Sequence, residues 1–322
     1  MSPDLEDALR LAVPGALALL AAFALDRMTA ARGLTPPGFR QPWRRVAAFF
    51  LMTIVFWVGI TGPLGDVGRQ VEVDVTQLTT PQLFLLHAVM IVVTLSWFAL
   101  GFAGVREERP WIGEAPALTD FGPPAETAIL VAAPAPPPPP APVARQLAQQ
   151  FGFVAPNIPR EIGLGLLLGI AAWAAVFAGV ILFALLLFAL GGEKALPKQP
   201  PALVPWIAGL PILVRLLISL SAGVVEEWFF RGFLQPRMGI LLSTGFFVLA
   251  HFSYGQPFML IGIAILSLIY GLLVKWRQNI WPAIAAHALF DGVQLLIIIP
   301  VALRYLGTQG TKTAALLTLL GF

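Results

Sequence analysis

Glu226, Glu227 and Arg231 lie in the stretch Val-Val-Glu-Glu-Trp-Phe-Phe-Arg-Gly (224–232), and His251, His287 and Asp291 follow further along the chain. These are side chains that move protons and hold developing charge. A carboxylate withdrawn from water and left without a partner is a stronger base than an exposed one, suited to accepting a proton from water near neutral pH. Imidazoles can donate to an oxygen on which negative charge develops. Spacing separates the two glutamates. Glu227 and Arg231 are i, i+4 with the acid N-terminal, the favourable order on one helical face, so they can neutralise each other and serve as a structural ion pair. Glu226 is turned about 100° away and has no local partner. His287 and Asp291 are also i, i+4, a spacing at which a carboxylate can orient an imidazole.

The surroundings make these residues conspicuous. The chain is 58% hydrophobic and 11% charged, with a mean hydropathy of +0.83, whereas a soluble domain carries about 25% charged residues. Several apolar runs are long enough to cross a bilayer. The reading is an all-α, polytopic membrane protein. Ionisable residues inside membrane spans are costly and point to function. The net charge of +3 is small and scattered, so nucleic acid is not a partner. The chain has no cysteine, which excludes thiolate catalysis, disulfides and Cys-ligated metal. It has no GxSxG elbow and no HExxH zinc motif.

Eight spans position the polar residues: 8–25, 46–62, 82–105, 162–190, 205–230, 239–254, 258–274 and 281–300. The first follows an acidic start, Met-Ser-Pro-Asp-Leu-Glu-Asp, and is read as an uncleaved helix. The apolar stretch 312–322 is too short to span. Most Lys and Arg fall between spans one and two, between three and four, and after five and seven, which places those loops in the cytoplasm and both termini outside. Counted at 1.5 Å per residue from these boundaries, Glu226, His251, His287 and Asp291 lie roughly 9–18 Å deep. The active site is therefore expected inside the C-terminal helix bundle. The proline run 133–142 favours extended polyproline II and reads as a linker. The division is an N-terminal three-helix membrane region (1–105), a cytoplasmic proline-rich linker (106–161) and a C-terminal core (162–322) with its motifs within 205–300. His87, alone in span three, reads as a core hydrogen-bonding histidine, and a chain beginning near Arg160 is expected to retain the site.

Three motifs carry a family resemblance. Glu-Glu-Trp-Phe-Phe-Arg (226–231) resembles the EExxxR motif of the CAAX protease and bacteriocin-processing family (CPBP, or Abi). Phe-Val-Leu-Ala-His (247–251) is similar to its FxxxH motif, and His-Ala-Leu-Phe-Asp (287–291) to its HxxxN motif, with Asp in place of Asn. The resemblance covers roughly 205–300. It implies an intramembrane endopeptidase that cuts near the C-terminus of a membrane-presented protein or peptide. Glu226 would be the general base, His251 and His287 would assist, residue 291 would help hold the oxyanion, and Glu227, Arg231 and Phe247 would shape the site. No cofactor is implied.

The departure at 291 matters, because an ionised carboxylate accepts hydrogen bonds and cannot donate them. Asp291 must be protonated, orient His287 or bind metal. Glu226, His251, His287 and Asp291 also make an N/O set of the kind zinc takes, which keeps a zinc site as the alternative. The expected setting is the plasma membrane of a bacterium, with the bilayer and a membrane-associated peptide or protein as partners. A non-catalytic peptide-binding or immunity protein of the same family is the competing reading. A transporter is a weaker one, since no repeat or pair of broken helices is visible.

Overall fold

The computed structural model describes residues 3–66, 79–104, 143–195, 203–252 and 257–309. The proline run 133–142 and the stretch 312–322 lie outside them. The described residues form helices and no strand. In a bilayer every backbone N–H and C=O needs an internal partner, and a helix supplies one within its own segment.

Three long helices come first: α1 (Pro3–Ala31), α2 (Pro42–Phe56, continued by a π turn Trp57–Thr61) and α3 (Thr80–Phe102). Thr79 and Gln82 form a capping box at the start of α3, satisfying donors that a helix N-terminus leaves open. A short helix α4 (Val143–Gln150) precedes α5 (Ile158–Gly191), which Asn157 caps by accepting from the Arg160 N–H at 3.0 Å. The remainder is α6 (Leu203–Gly209), α7 (Ile212–Ser221), a π segment (Ala222–Leu234) running into α8 (Gln235–Met238), then α9 (Ile240–Ala250), α10 (Pro257–Arg277), α11 (Trp281–Val293), a second π segment (Gln294–Ile298) and α12 (Ile299–Gln309).

Among the described residues six helices are long and apolar enough to cross a membrane: Leu5–Ala31, Pro42–Gly65, Thr80–Phe102, Ile158–Gly191, Met259–Arg277 and Trp281–Arg304. The chain is a multi-pass membrane protein, but the expected count of eight is not reproduced. The differences fall at the fifth and sixth expected spans. The fifth breaks at Pro211, whose extended backbone separates α6 from α7. Beyond it, residues 212–238 carry Arg215, Glu226, Glu227, Arg231 and Arg237, too many charges for a simple span. The sixth is α9, 11 residues long. That is about 16 Å of helix, roughly half the hydrocarbon thickness.

One core joins the two ends of the chain. Phe39, Phe56, Trp97 and Phe98 from the N-terminal part pack with Phe151, Phe229, Phe230, Phe233 and Phe247. Trp97 meets Phe39 and Phe233 edge-on, with centroids 5.2 and 4.9 Å away, an arrangement the ring quadrupoles favour. Residues just after α4, expected in the linker, are built into this core: Phe151 is fully buried, and the Phe153 carbonyl accepts from Trp281 Nε1 at 2.7 Å. Glu161 forms a two-pronged ion pair with Arg277, with bonds of 2.9 and 2.5 Å.

A second core lies between α5, α10 and α11. Here α5 crosses α11 with almost no side chain between backbones. A Cβ on Gly165 would collide with the Pro282 carbonyl oxygen, and one on Gly169 would come within 3.1 Å of Ala286 Cα. Small residues four apart are the device by which membrane helices approach closely. Gly223 does the same for the π segment against α11, where a Cβ would lie 2.9 Å from the Ile284 carbonyl oxygen. Large apolar side chains such as Leu11, Leu20, Leu167, Leu182 and Leu190 point outward, as expected of helices facing lipid.

Candidate functional site

The site is assembled on the π segment. A π-helix bonds i→i+5, and such segments concentrate at functional sites. Here the wider winding runs from Ala222 to Leu234 and carries both glutamates and Arg231. Ser221, the last residue of α7, precedes it.

Glu227 is fully buried and neutralised from two sides. Its Oε1 lies 3.0 Å from Arg231 and accepts from His287 Nδ1 at 2.8 Å. Arg231 is itself buried, with its guanidinium 4.3 Å from the Phe247 ring centroid and 5.6 Å from that of Tyr270. Aromatic faces stabilise a cation that has left water. The expected Glu227–Arg231 pair is present. His287 Nε2 faces Asp291 Oδ2 at 3.5 Å, so this imidazole lies between two carboxylates. The ring of Tyr270 stacks on it at 5.3 Å. Glu227, not Glu226, is the glutamate that His287 meets, because the close crossing at Gly223 brings α11 against that face.

Glu226 occupies a separate arrangement. Its Oε1 lies 3.3 Å from His87 Nε2, and its Oε2 lies 3.8 Å from His251 Nε2. Oε2 is buried and has no hydrogen-bond partner among the described residues. His251 sits at the C-terminal end of α9, where its Nδ1 donates to the Phe247 carbonyl at 2.8 Å. Phe247 therefore acts twice: its carbonyl orients His251 and its ring covers Arg231.

The structure thus brings the six motif residues into two adjoining groups, Glu226 with His251 and Glu227 with Arg231, His287 and Asp291. The four-residue zinc set is not gathered around one point, because His287 is turned to Glu227 and Asp291. Among the described residues no group of three or more His, Asp or Glu side chains is arranged to hold a metal ion.

Two residues escaped the sequence reading. His87, expected as a lone core histidine of α3, bridges Ser221 Oγ at 3.2 Å and Glu226. Its signal was present, an ionisable residue in an apolar span, but nothing local pairs it with a glutamate 139 positions away. Tyr270 is fully buried and its hydroxyl has no hydrogen-bond partner among the described residues. A buried phenol usually finds one.

Comparisons with known proteins fall on the same stretch. Residues 208–293 match the family model described as "Type II CAAX prenyl endopeptidase Rce1-like". Over 79 residues the chain is 30% identical to "Uncharacterized protein YpbD" of Bacillus subtilis (strain 168), an alignment covering 24% of this chain and 42% of that relative. No solved structure matches the chain. The segment that holds Glu226, Glu227, Arg231, His251, His287 and Asp291 therefore matches the Rce1-like family of type II CAAX prenyl endopeptidases, in line with the resemblance its three motifs carry.

Proposed function

We propose that the protein is an intramembrane endopeptidase in which Glu226 activates water to hydrolyse a peptide bond near the C-terminus of a membrane-presented protein or peptide. The observation that carries this reading is the contrast between the two glutamates. Each keeps a buried Oε2 with no hydrogen-bond partner among the described residues, but Glu227 is neutralised by Arg231 and bonded to His287, whereas Glu226 has no arginine beside it among the described residues and its Oε2 lies 3.8 Å from His251 Nε2.

The geometry suits one water. With Nδ1 donating to the Phe247 carbonyl, a neutral His251 presents Nε2 as an acceptor. Ionised Glu226 is also an acceptor. Two acceptors cannot bond to each other, but one water can donate to both and turn a lone pair toward a substrate carbonyl. As the water oxygen bonds to the carbonyl carbon, its proton passes to Glu226 Oε2. Collapse of the tetrahedral intermediate breaks the C–N bond, and Glu226 returns that proton to the departing amine.

The oxyanion needs a donor. Asp291 faces His287 Nε2 at 3.5 Å, and in this reading it orients that ring and does not donate. The Tyr270 hydroxyl, buried and stacked beside His287, is our candidate. No step is assigned to a metal. From the distribution of Lys and Arg we place both termini outside the plasma membrane of a bacterium. Single cysteines introduced into this cysteine-free chain, labelled from either side, read that orientation directly.

The decisive experiment compares protein C-termini in cells carrying the wild type or Glu226→Gln, followed by cleavage of the identified substrate by purified protein. Loss of one processed C-terminus on substitution is the expected result. A protein that binds that substrate and never cuts it is the non-catalytic member of the family, and the endopeptidase assignment falls.

A further inference from the structure

The hydrogen bonds around His87 have a fixed direction. Ser221 Oγ donates to the Ile218 carbonyl at 3.0 Å. Its one proton is committed there, so toward His87 Nδ1, 3.2 Å away, the hydroxyl can only accept. Nδ1 must carry the hydrogen. The other ring nitrogen, Nε2, then faces Glu226 Oε1 at 3.3 Å. For that contact to be a hydrogen bond, one proton must lie between Nε2 and Oε1. Either an imidazolium donates to a carboxylate, or a protonated carboxyl donates to a neutral ring. In both cases Oε1 is engaged; the ionised base of the endopeptidase reading corresponds to the first, in which Oε2 is the oxygen left to react.

Depth and origin strengthen the point. His87 and Glu226 are each 14% exposed, so bulk water does not readily replace either partner. His87 belongs to α3, well outside the matched segment 208–293. The contact is held by packing between α3 and the π segment, whose side chains Phe229, Phe230 and Phe233 share a core with Met90, Val93 and Trp97 of α3. A loosely held glutamate could turn either oxygen toward substrate. This one is pinned.

We propose that His87 is a positioning residue for Glu226: it holds Oε1 and the shared proton, and thereby selects Oε2 as the atom that faces His251 and the reacting water. The inference rests on the endopeptidase reading for its consequence, though not for the contact itself. A misplacement of the base of about 1 Å is enough to cost on the order of 10²-fold in rate.

Two measurements on the full-length protein in lipid test it. The first uses nitrogen-isotope-labelled histidine and magnetic resonance. The chain has three histidines, so single substitutions assign every ring signal. Glu226→Gln is expected to shift His87 Nε2 while Glu227→Gln shifts His287 instead. A His87 signal indifferent to Glu226→Gln overturns the proposal. The second is kinetic, on the substrate identified in cells. His87→Phe in folded, monodisperse protein should lower kcat about 10²-fold with KM little changed. His87→Gln, whose amide reaches the same oxygen as a donor, should recover most of the loss. A folded His87→Phe protein with wild-type kcat overturns the proposal. Wild-type protein that shows the spectral coupling but cuts nothing sinks the endopeptidase reading and leaves the His87–Glu226 contact standing.

Discussion

Adjacent glutamates of identical chemistry meet opposite fates here, and substitution should separate them. Glu226→Gln keeps shape and removes the base, so turnover should fall by on the order of 10²–10⁴ while the melting temperature in detergent stays near wild type. Glu227→Gln leaves Arg231 buried without its carboxylate, at a cost of about 3–5 kcal/mol, read as loss of yield and a lower melting temperature. A fully active Glu226→Gln protein beside a well-folded, inactive Glu227→Gln one would transfer the catalytic role to the second glutamate. Tyr270→Phe is sharper still. Its hydroxyl has no hydrogen-bond partner among the described residues, so a purely structural tyrosine predicts no loss of stability or turnover. A donor to the oxyanion predicts a kcat loss of about 10²–10³ at unchanged melting temperature. The split between Glu226 and Glu227 was legible in the sequence because i, i+4 pairing is local. The roles of His87 and Tyr270 were not, because each depends on which helix packs opposite, and no spacing along the chain records that.

At the scale of helices, the crossings are set by glycine. Gly165→Leu should force α5 off Pro282 and Ala285, costing about 1–3 kcal/mol as overpacking does. A fall in thermal stability together with a weaker kcat is the expected pair of results, since α11 carries His287. An unchanged melting temperature would show that the crossing is looser than described. The long apolar helices were readable from hydropathy because lipid demands an unbroken apolar run. The π segment was not, since a shift from i→i+4 to i→i+5 bonding leaves no distinctive residue pattern. Nor was the division at Pro211, which lies inside the expected fifth span 205–230 and separates α6 from α7. Averaged hydropathy also let 205–230 read as one span although it contains Arg215, Glu226 and Glu227, because neighbouring Phe and Leu outweigh them.

For the whole molecule, the contacts of His87 with Glu226 and of Trp97 with Phe233 run against the expectation that a chain beginning near Arg160 keeps the site. Such a chain lacks α1–α3 and exposes the apolar faces of Phe229, Phe230 and Phe233. It should aggregate, or fold with strongly reduced turnover. A soluble, fully active fragment would show that the first three helices are dispensable. Elemental analysis of active full-length protein should find well below one zinc per chain, and chelators should leave turnover unchanged. About one zinc per chain, lost and restored together with activity, would replace the water-activation scheme with a metal-assisted one. The shared aromatic core has a further implication for how such a protein is made. A ribosome that has delivered only α1–α3 has supplied a histidine with no glutamate to hold. The later half, inserted alone, has the glutamate with neither histidine nor core to seat it. Proteolytic competence would then be withheld until both halves have met in the bilayer, sparing neighbouring proteins from a half-built protease. Two polypeptides divided within the proline run and produced in the same cell should still find each other and cut, whereas either one produced alone should remain silent.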